Sequence, residues 1–171
     1  GDVLVLGAAG KMGPSFVQRV CRSVRAAGGD SKVYAVSRFS DEGLAELLTQ
    51  SGARVIQADL LSPGALDSLP DCPNVFCFLG SKFGTSGKEP VTWGTNTFLP
   101  GQVALRWRDS RIVAWSTGNV YPLVPVNSGG SKEKDVLGPL GEYAQSCLGR
   151  ERIYQYFSSR NSTSTCLLRL N

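Results

Sequence analysis

Three glycines spaced Gly7-x-x-Gly10-x-x-Gly13 carry the clearest chemistry in the chain. A glycine turn set between a strand and a helix brings backbone N–H groups to an anion, above all the pyrophosphate of a dinucleotide. Gly7 permits the tight turn off the strand. Gly10 leaves the backbone bare where the pyrophosphate approaches, and Gly13 lets the following helix pack closely on the sheet. Lys11 and Met12 complete the turn and are expected at the same ligand. A second chemical position closes the run Ala35-Val36-Ser37-Arg38. An acidic side chain there would accept hydrogen bonds from the ribose hydroxyls of NAD and repel a 2′-phosphate. A hydroxyl followed by a guanidinium suits the 2′-phosphate, so Ser37 and Arg38 favour NADP over NAD, or a site tolerating both. The bland alternative has Arg38 stacked on adenine or turned to water.

The elements that must position these groups alternate along the chain. Strands are predicted at Val3–Leu6, Lys32–Ser37, Arg54–Ala58, Asn74–Leu79, Arg111–Ser116 and Thr165–Leu170. Helices are predicted near Gly13–Ala27, Asp41–Gln50, Gly64–Leu69, Val91–Arg108 and Gly141–Arg160. This βαβ alternation predicts an α/β domain, a Rossmann-type doubly wound parallel sheet of strand order 3-2-1-4-5-6. Two long polar loops, Gly80–Pro90 and Pro122–Asp135, leave the C-terminal ends of the fourth and fifth strands, where ligands bind in open α/β sheets.

Composition narrows the function classes. The length suits one domain, and 42% apolar residues suffice for a core. No apolar run approaches the roughly 18 residues of a membrane helix, and the opening run reads as a strand rather than a leader. The net charge of +4 is mild and its arginines are scattered, so neither a nucleic-acid nor a membrane partner is expected. Five cysteines without a C-x-x-C pair read as reduced, mostly buried thiols, and the expected location is cytoplasmic. Histidine is absent, which excludes a Ser-His-Asp or Cys-His triad and any histidine-based zinc site within this chain; no metal site is expected. The chain begins at Gly1 and stops at Leu168-Arg169-Leu170-Asn171, and is expected to be a fragment of something longer.

Two further segments complete a pattern: Trp115-Ser116-Thr117-Gly118-Asn119-Val120-Tyr121-Pro122, and Tyr143-Ala144-Gln145-Ser146-Cys147-Leu148-Gly149-Arg150-Glu151. Together with the glycine turn they resemble the extended short-chain dehydrogenase/reductase family, in its NAD-dependent epimerase/dehydratase branch, over nearly the whole chain. The resemblance implies that Asp59, with Leu60, contacts adenine and that Leu79 and Gly80 pass the cofactor's ribose. It matches Asn96 to the asparagine of the fourth helix, and Asn96, Lys82 and Tyr143 are expected among the cofactor contacts as well. Thr117 falls on the catalytic serine or threonine and Tyr143 on the catalytic tyrosine. Arg169-Leu170-Asn171 resembles the start of the segment leading to a substrate-binding lobe, which this chain would lack. The implied substrate is a hydroxyl- or carbonyl-bearing small molecule, with a sugar or nucleotide-sugar the family's usual class. Subunits of the family often pair through the fourth and fifth helices, so a homodimer is expected.

In such enzymes the tyrosine exchanges a proton with the substrate oxygen, and the Ser/Thr hydroxyl holds that oxygen in place. A lysine one helical turn after the tyrosine lowers its pKa from the ordinary value near 10. This chain has Cys147 at that position. Three explanations compete. Arg150, on the same helical face as Tyr143 and Cys147, brings a substitute charge; Lys82 reaches in from the loop after the fourth strand; or the chain binds a dinucleotide without catalysis, as a sensor or scaffold. The reading adopted is an enzyme with Thr117, Tyr143 and Arg150 at the reacting centre. Cys147 reads as a small, half-buried filler, and Trp115 and Tyr121 as packing residues.

Overall fold

A computed structural model describes residues 1–82 and 86–170. Six parallel strands, β1 (Val3–Leu6), β2 (Val33–Ser37), β3 (Arg54–Gln57), β4 (Asn74–Cys77), β5 (Arg111–Thr117) and β6 (Thr165–Leu170), form one sheet in the order β3-β2-β1-β4-β5-β6. This is the predicted doubly wound order. Strand β1 is buried along its whole length because it is covered on both faces. Val3 and Val5 pack with Val17 and Cys21 of α1 (Gly13–Ala26) and Leu48 of α2 (Glu42–Gln50). Leu4 and Leu6 face the opposite layer with Val103, Trp107 and Tyr154.

That second layer departs from the sequence reading. The single helix predicted over Val91–Arg108 is α3 (Glu89–Trp93), a π-helical turn over Gly94–Phe98, and α4 (Leu99–Arg106). Pro100, in the first turn of α4, has no N–H to offer the carbonyl of Asn96 four residues back, so regular α-helical bonding cannot run through this stretch. The last helix, α5 (Gly141–Asn161), crosses this region closely: a Cβ on Gly149 would stand 2.9 Å from Thr97 Oγ1.

The predicted helix at Gly64–Leu69 is a run of tight turns. Gly64 is left-handed (φ +74°), and the carbonyls of Ser62, Gly64 and Leu66 each accept from the N–H three residues on. Cys21, Cys72 and Cys77 are buried as expected and Cys147, expected to be half-buried, is fully buried, whereas Cys166 is exposed on the edge strand β6. No helix among the described residues is long and apolar enough to cross a membrane.

Candidate active site

Strand order reverses at β1, which pairs with β2 on one side and β4 on the other. A crevice opens beyond the strand ends at such a point. Gly7 adopts φ +81°, and a Cβ there would stand 3.0 Å from the backbone of Phe78; only glycine serves both the left-handed turn and the close approach. A Cβ on Gly13 would run into the backbone of Ala8, so α1 sits against the turn at a distance a side chain would forbid. Gly10 N–H donates to Gly7 O and Gly13 N–H to Gly10 O, both at 3.0 Å, which draws the turn tight. The backbone N–H groups of Lys11 and Met12 donate to no described residue. Both side chains are exposed at the rim, outside the lining of the groove.

The groove has a volume of about 540 Å³. Gly7, Ala9 and Gly10 form one wall, Ser37 to Ser40 and Ala58 to Leu61 another, and Phe78 to Ser81 the floor. Val91, Thr95 and Leu99 close it from the side. Of the residues named from sequence, Gly7, Gly10, Ser37, Arg38, Asp59, Leu60, Leu79 and Gly80 meet here; Gly13 supports the turn from behind. Lys82 is exposed at the far end of the floor, and residues 83–85 of that loop lie outside the described residues. Ser40 and the helical stripe Val91, Thr95, Leu99 were missed, although their i, i+4, i+8 spacing marks one helix face. Arg38 and Ser40 are exposed on either side of Phe39, which buries its ring while its backbone turns left-handed (φ +42°). The Gln57 side-chain amide braces this corner by donating to Arg38 O at 2.8 Å. One Asp59 carboxylate oxygen accepts from Leu61 N–H at 3.1 Å. A bare glycine turn, unbonded N–H groups at its crest and an elongated groove fit a dinucleotide.

Asn96, in the π-helical turn, is fully buried and links the groove floor to α5. Its amide donates to Ser81 O (3.1 Å) and Ser146 Oγ (2.9 Å), and its carbonyl oxygen accepts from Ser81 N–H (2.8 Å). Asn96 therefore lies behind the floor and holds it. Arg150 also differs from its expected place. Its guanidinium is buried and donates to Asn96 O, Asn96 Oδ1 and Trp115 O, rather than projecting at the Tyr143 hydroxyl. The physical reason is the carbonyl that Pro100 leaves without its α-helical donor.

Thr117 ends β5, and Tyr143 lies in the first turn of α5. Thr117 Oγ1 accepts from Asn119 N–H (3.2 Å) and donates to Asn119 Oδ1 (3.1 Å), which fixes the hydroxyl at the strand end. Burial pushes the half-buried Tyr143 phenol above its ordinary value, and Cys147 adds to the rise; Thr117 and the charge of Arg150 oppose it without reversing it. Burial likewise pushes the Cys147 thiol up against the opposing charge of Arg150. Both groups are protonated at neutral pH. Gly118, Asn119 and Ala144, the neighbours of Thr117 and Tyr143, line a second cavity of about 610 Å³ with Tyr121, Leu140 and Arg169.

An ion pair with a buried carboxylate and a partly exposed guanidinium fixes the back of this centre. Arg169 on β6 grips the Glu151 carboxylate at 2.9 and 2.7 Å, and Ser116 Oγ donates to the same carboxylate. Burial pushes the Glu151 carboxyl up, but the hydrogen bonds from Arg169 and Ser116 outweigh it and leave the group below its ordinary value. Arg169 also donates to Tyr121 OH at 2.6 Å, so Tyr121 is a hydrogen-bonding partner as well as a packing residue. Trp115 does pack, stacking on Phe78 at 3.9 Å. The Glu151–Arg169 pair escaped the sequence reading; the acid at the end of the Tyr143 segment and the arginine near the chain end were the available signal.

A glycine turn and groove at the switch point of a doubly wound parallel sheet define a Rossmann-type α/β fold. The chain belongs to the NAD dependent epimerase/dehydratase family, whose model matches residues 3–171. Among solved structures it is similar to MoeE5 in complex with UDP-glucose and NAD, at 26% identity and TM-score 0.74, covering 98% of this chain and 52% of that one. It is also similar to DesIV, the dTDP-glucose 4,6-dehydratase of Streptomyces venezuelae with NAD and TYD bound (21% identity, TM-score 0.84, 99% and 55% covered). The UDP-glucuronic acid 4-epimerase of Bacillus cereus, also with NAD, matches at 18% identity and TM-score 0.82, with 99% and 56% covered. The last two likenesses show the fold. The chain spans about half the length of these relatives. No curated protein matches it in sequence.

Proposed function

We propose that this chain is the dinucleotide-binding part of an NAD(P)-dependent epimerase, dehydratase or reductase, whose substrate-binding lobe lies outside residues 1–171. One observation supports the reading: Tyr143 lies within side-chain hydrogen-bonding reach of Thr117 at the end of β5, and their chain neighbours Gly118, Asn119 and Ala144 line a cavity of about 610 Å³. When bound, the nicotinamide nucleotide supplies hydride transfer. The groove residues Gly7, Gly10, Ser37, Arg38, Asp59, Leu79 and Gly80 hold it, with the N–H groups of Lys11 and Met12 at its phosphates and Lys82 at the open end. Asn96 fixes the floor beneath. The Thr117 hydroxyl turns from Asn119 to hold the substrate oxygen, and Tyr143 gives or takes the proton at that oxygen. Arg150 contributes positive charge behind Tyr143, acting through space.

The relatives' ligands favour a nucleotide-sugar as substrate, since MoeE5 is bound to UDP-glucose or UDP-glucuronic acid with NAD. Ser37 and Arg38, which line the groove at the braced corner, favour NADP over NAD within the same cofactor type. A homodimer through the outer faces of α4 and α5 belongs to this reading. An apolar groove of about 510 Å³ lined by Trp93, Phe98, Leu105, Ile153 and Phe157 runs there, and Phe98 is 60% exposed. A second reading, a dinucleotide-binding sensor or scaffold without turnover, is favoured by the raised Tyr143 phenol and by Cys147 where a lysine would lower it.

A screen of nucleotide-sugars and simpler hydroxyl and carbonyl compounds for NAD(P)H formation or consumption tests the choice, with Tyr143→Phe as control. Turnover lost in the Tyr143→Phe variant while dinucleotide binding persists supports the enzyme. Binding without turnover on any substrate, even with the full-length protein, supports the sensor.

A further inference from the structure

We propose that Arg150 is a positioning residue that sets the floor of the groove, and that Gly80 is glycine because the Arg150 guanidinium occupies the space of a side chain. Arg150 is 6% exposed, and no carboxylate among the described residues lies within ion-pair distance of it. Its burial is compensated by neutral oxygens alone: Asn96 O at 3.2 Å, Asn96 Oδ1 at 2.9 Å and Trp115 O at 2.7 Å. A buried charge without hydrogen bonds would be costly, so these three bonds fix the guanidinium in one place. Asn96 in turn holds Ser81 through both its N–H and its carbonyl. One side chain thus ties together the π-helical turn, the Gly80–Ser81 turn after β4, and the end of β5 two residues before Thr117.

The fit at Gly80 is close. A Cβ there would meet Arg150 Nη2 at 3.0 Å, with Nη1 and Asn96 Oδ1 both at 3.6 Å. The tip of a free arginine would swing away from a methyl group. This one is held by three acceptors, so the turn carrying Gly80 must move instead, and Gly80 and Ser81 line the groove. The role of the floor in binding a dinucleotide rests on the proposed function; the lock between Arg150 and Gly80 does not.

Gly80→Ala, Arg150→Met, Arg150→Lys and the Gly80→Ala/Arg150→Met double variant decide the matter, each measured for thermal unfolding and for NADH affinity by fluorescence titration. Gly80→Ala is expected to weaken NADH about tenfold and to lower Tm by about 3 °C. Arg150→Lys is expected to lose affinity as Arg150→Met does, because a point charge cannot span acceptors that a planar fork spans. The double variant should lose less than the sum of the single changes in both readouts, since the added methyl then has nothing to strike. Additive losses of Tm would overturn the lock, and an Arg150→Lys variant with unchanged NADH affinity would show that charge alone matters. Failure of the unaltered chain to bind either NADH or NADPH would sink the dinucleotide reading and with it the floor-setting role, while the coupling in Tm would still decide the lock.

Discussion

Cys147 sits one turn of α5 beyond Tyr143, fully buried; burial holds the phenol's ionisation up and Cys147 adds to the rise, where an ammonium at that position would pull it down. The proton of Tyr143 is held more tightly than in a free tyrosine, whose value is about 10. A step that needs Tyr143 as a base is therefore weak at neutral pH, while a step that needs it as an acid finds its proton in place. Substrate oxidation should accelerate as pH rises toward and beyond that ordinary value, and carbonyl reduction should be flat through neutrality. A pH–rate profile in each direction checks this.

Cys147→Lys reverses the relationship. The ammonium lowers the Tyr143 pKa, so oxidation at pH 7 should rise by about tenfold for each unit of lowering, with the profile displaced to lower pH. The same change in an inactive parent would create turnover if only the charge has been lost.

Glu151→Gln breaks the ion pair with Arg169 and loosens Ser116 next to Thr117. Arg169 is partly exposed and keeps Tyr121 as a partner, so the loss is that of charge-assisted hydrogen bonds, about 2 kcal/mol, which corresponds to a Tm lower by roughly 6 °C in a chain of this size. Because the folded carboxyl titrates below its unfolded value, its contribution is fully present above the unfolded pKa and is lost as pH falls through the folded one. Acid unfolding followed by circular dichroism should come at higher pH in a variant that weakens the grip, such as Ser116→Ala.

Arg38→Ala should leave NADH affinity within a factor of about two and weaken NADPH about tenfold, the loss expected of one charge-assisted contact to a 2′-phosphate. Paired titrations with the two nucleotides read the ratio directly.

The sheet order and the glycine groove were legible because they depend on local pattern: apolar strands, a glycine turn, then an amphipathic helix. The parts that were not legible are made by partners distant in the chain. Helical periodicity runs unbroken from Val91 past Arg106, and only Pro100 signals the π-helical turn that leaves the Asn96 carbonyl to Arg150. Arg150 reads in sequence as a charge on the Tyr143 face. Its acceptors, 54 and 35 residues away, turn it inward. Glu151 and Arg169 meet only because β6 returns beside β5. The turns after Gly64 lacked the length and the backbone geometry for a helix, which a proline-glycine start at Pro63 and Gly64 could have indicated.

Fluorescence titration of the chain with NADH and NADPH, alongside a thermal-unfolding scan of the same sample, tests the central claim most directly. Saturable binding at one site per chain, tighter for NADPH, is expected in a protein that unfolds cooperatively. A cooperatively folded chain that binds neither nucleotide would contradict it.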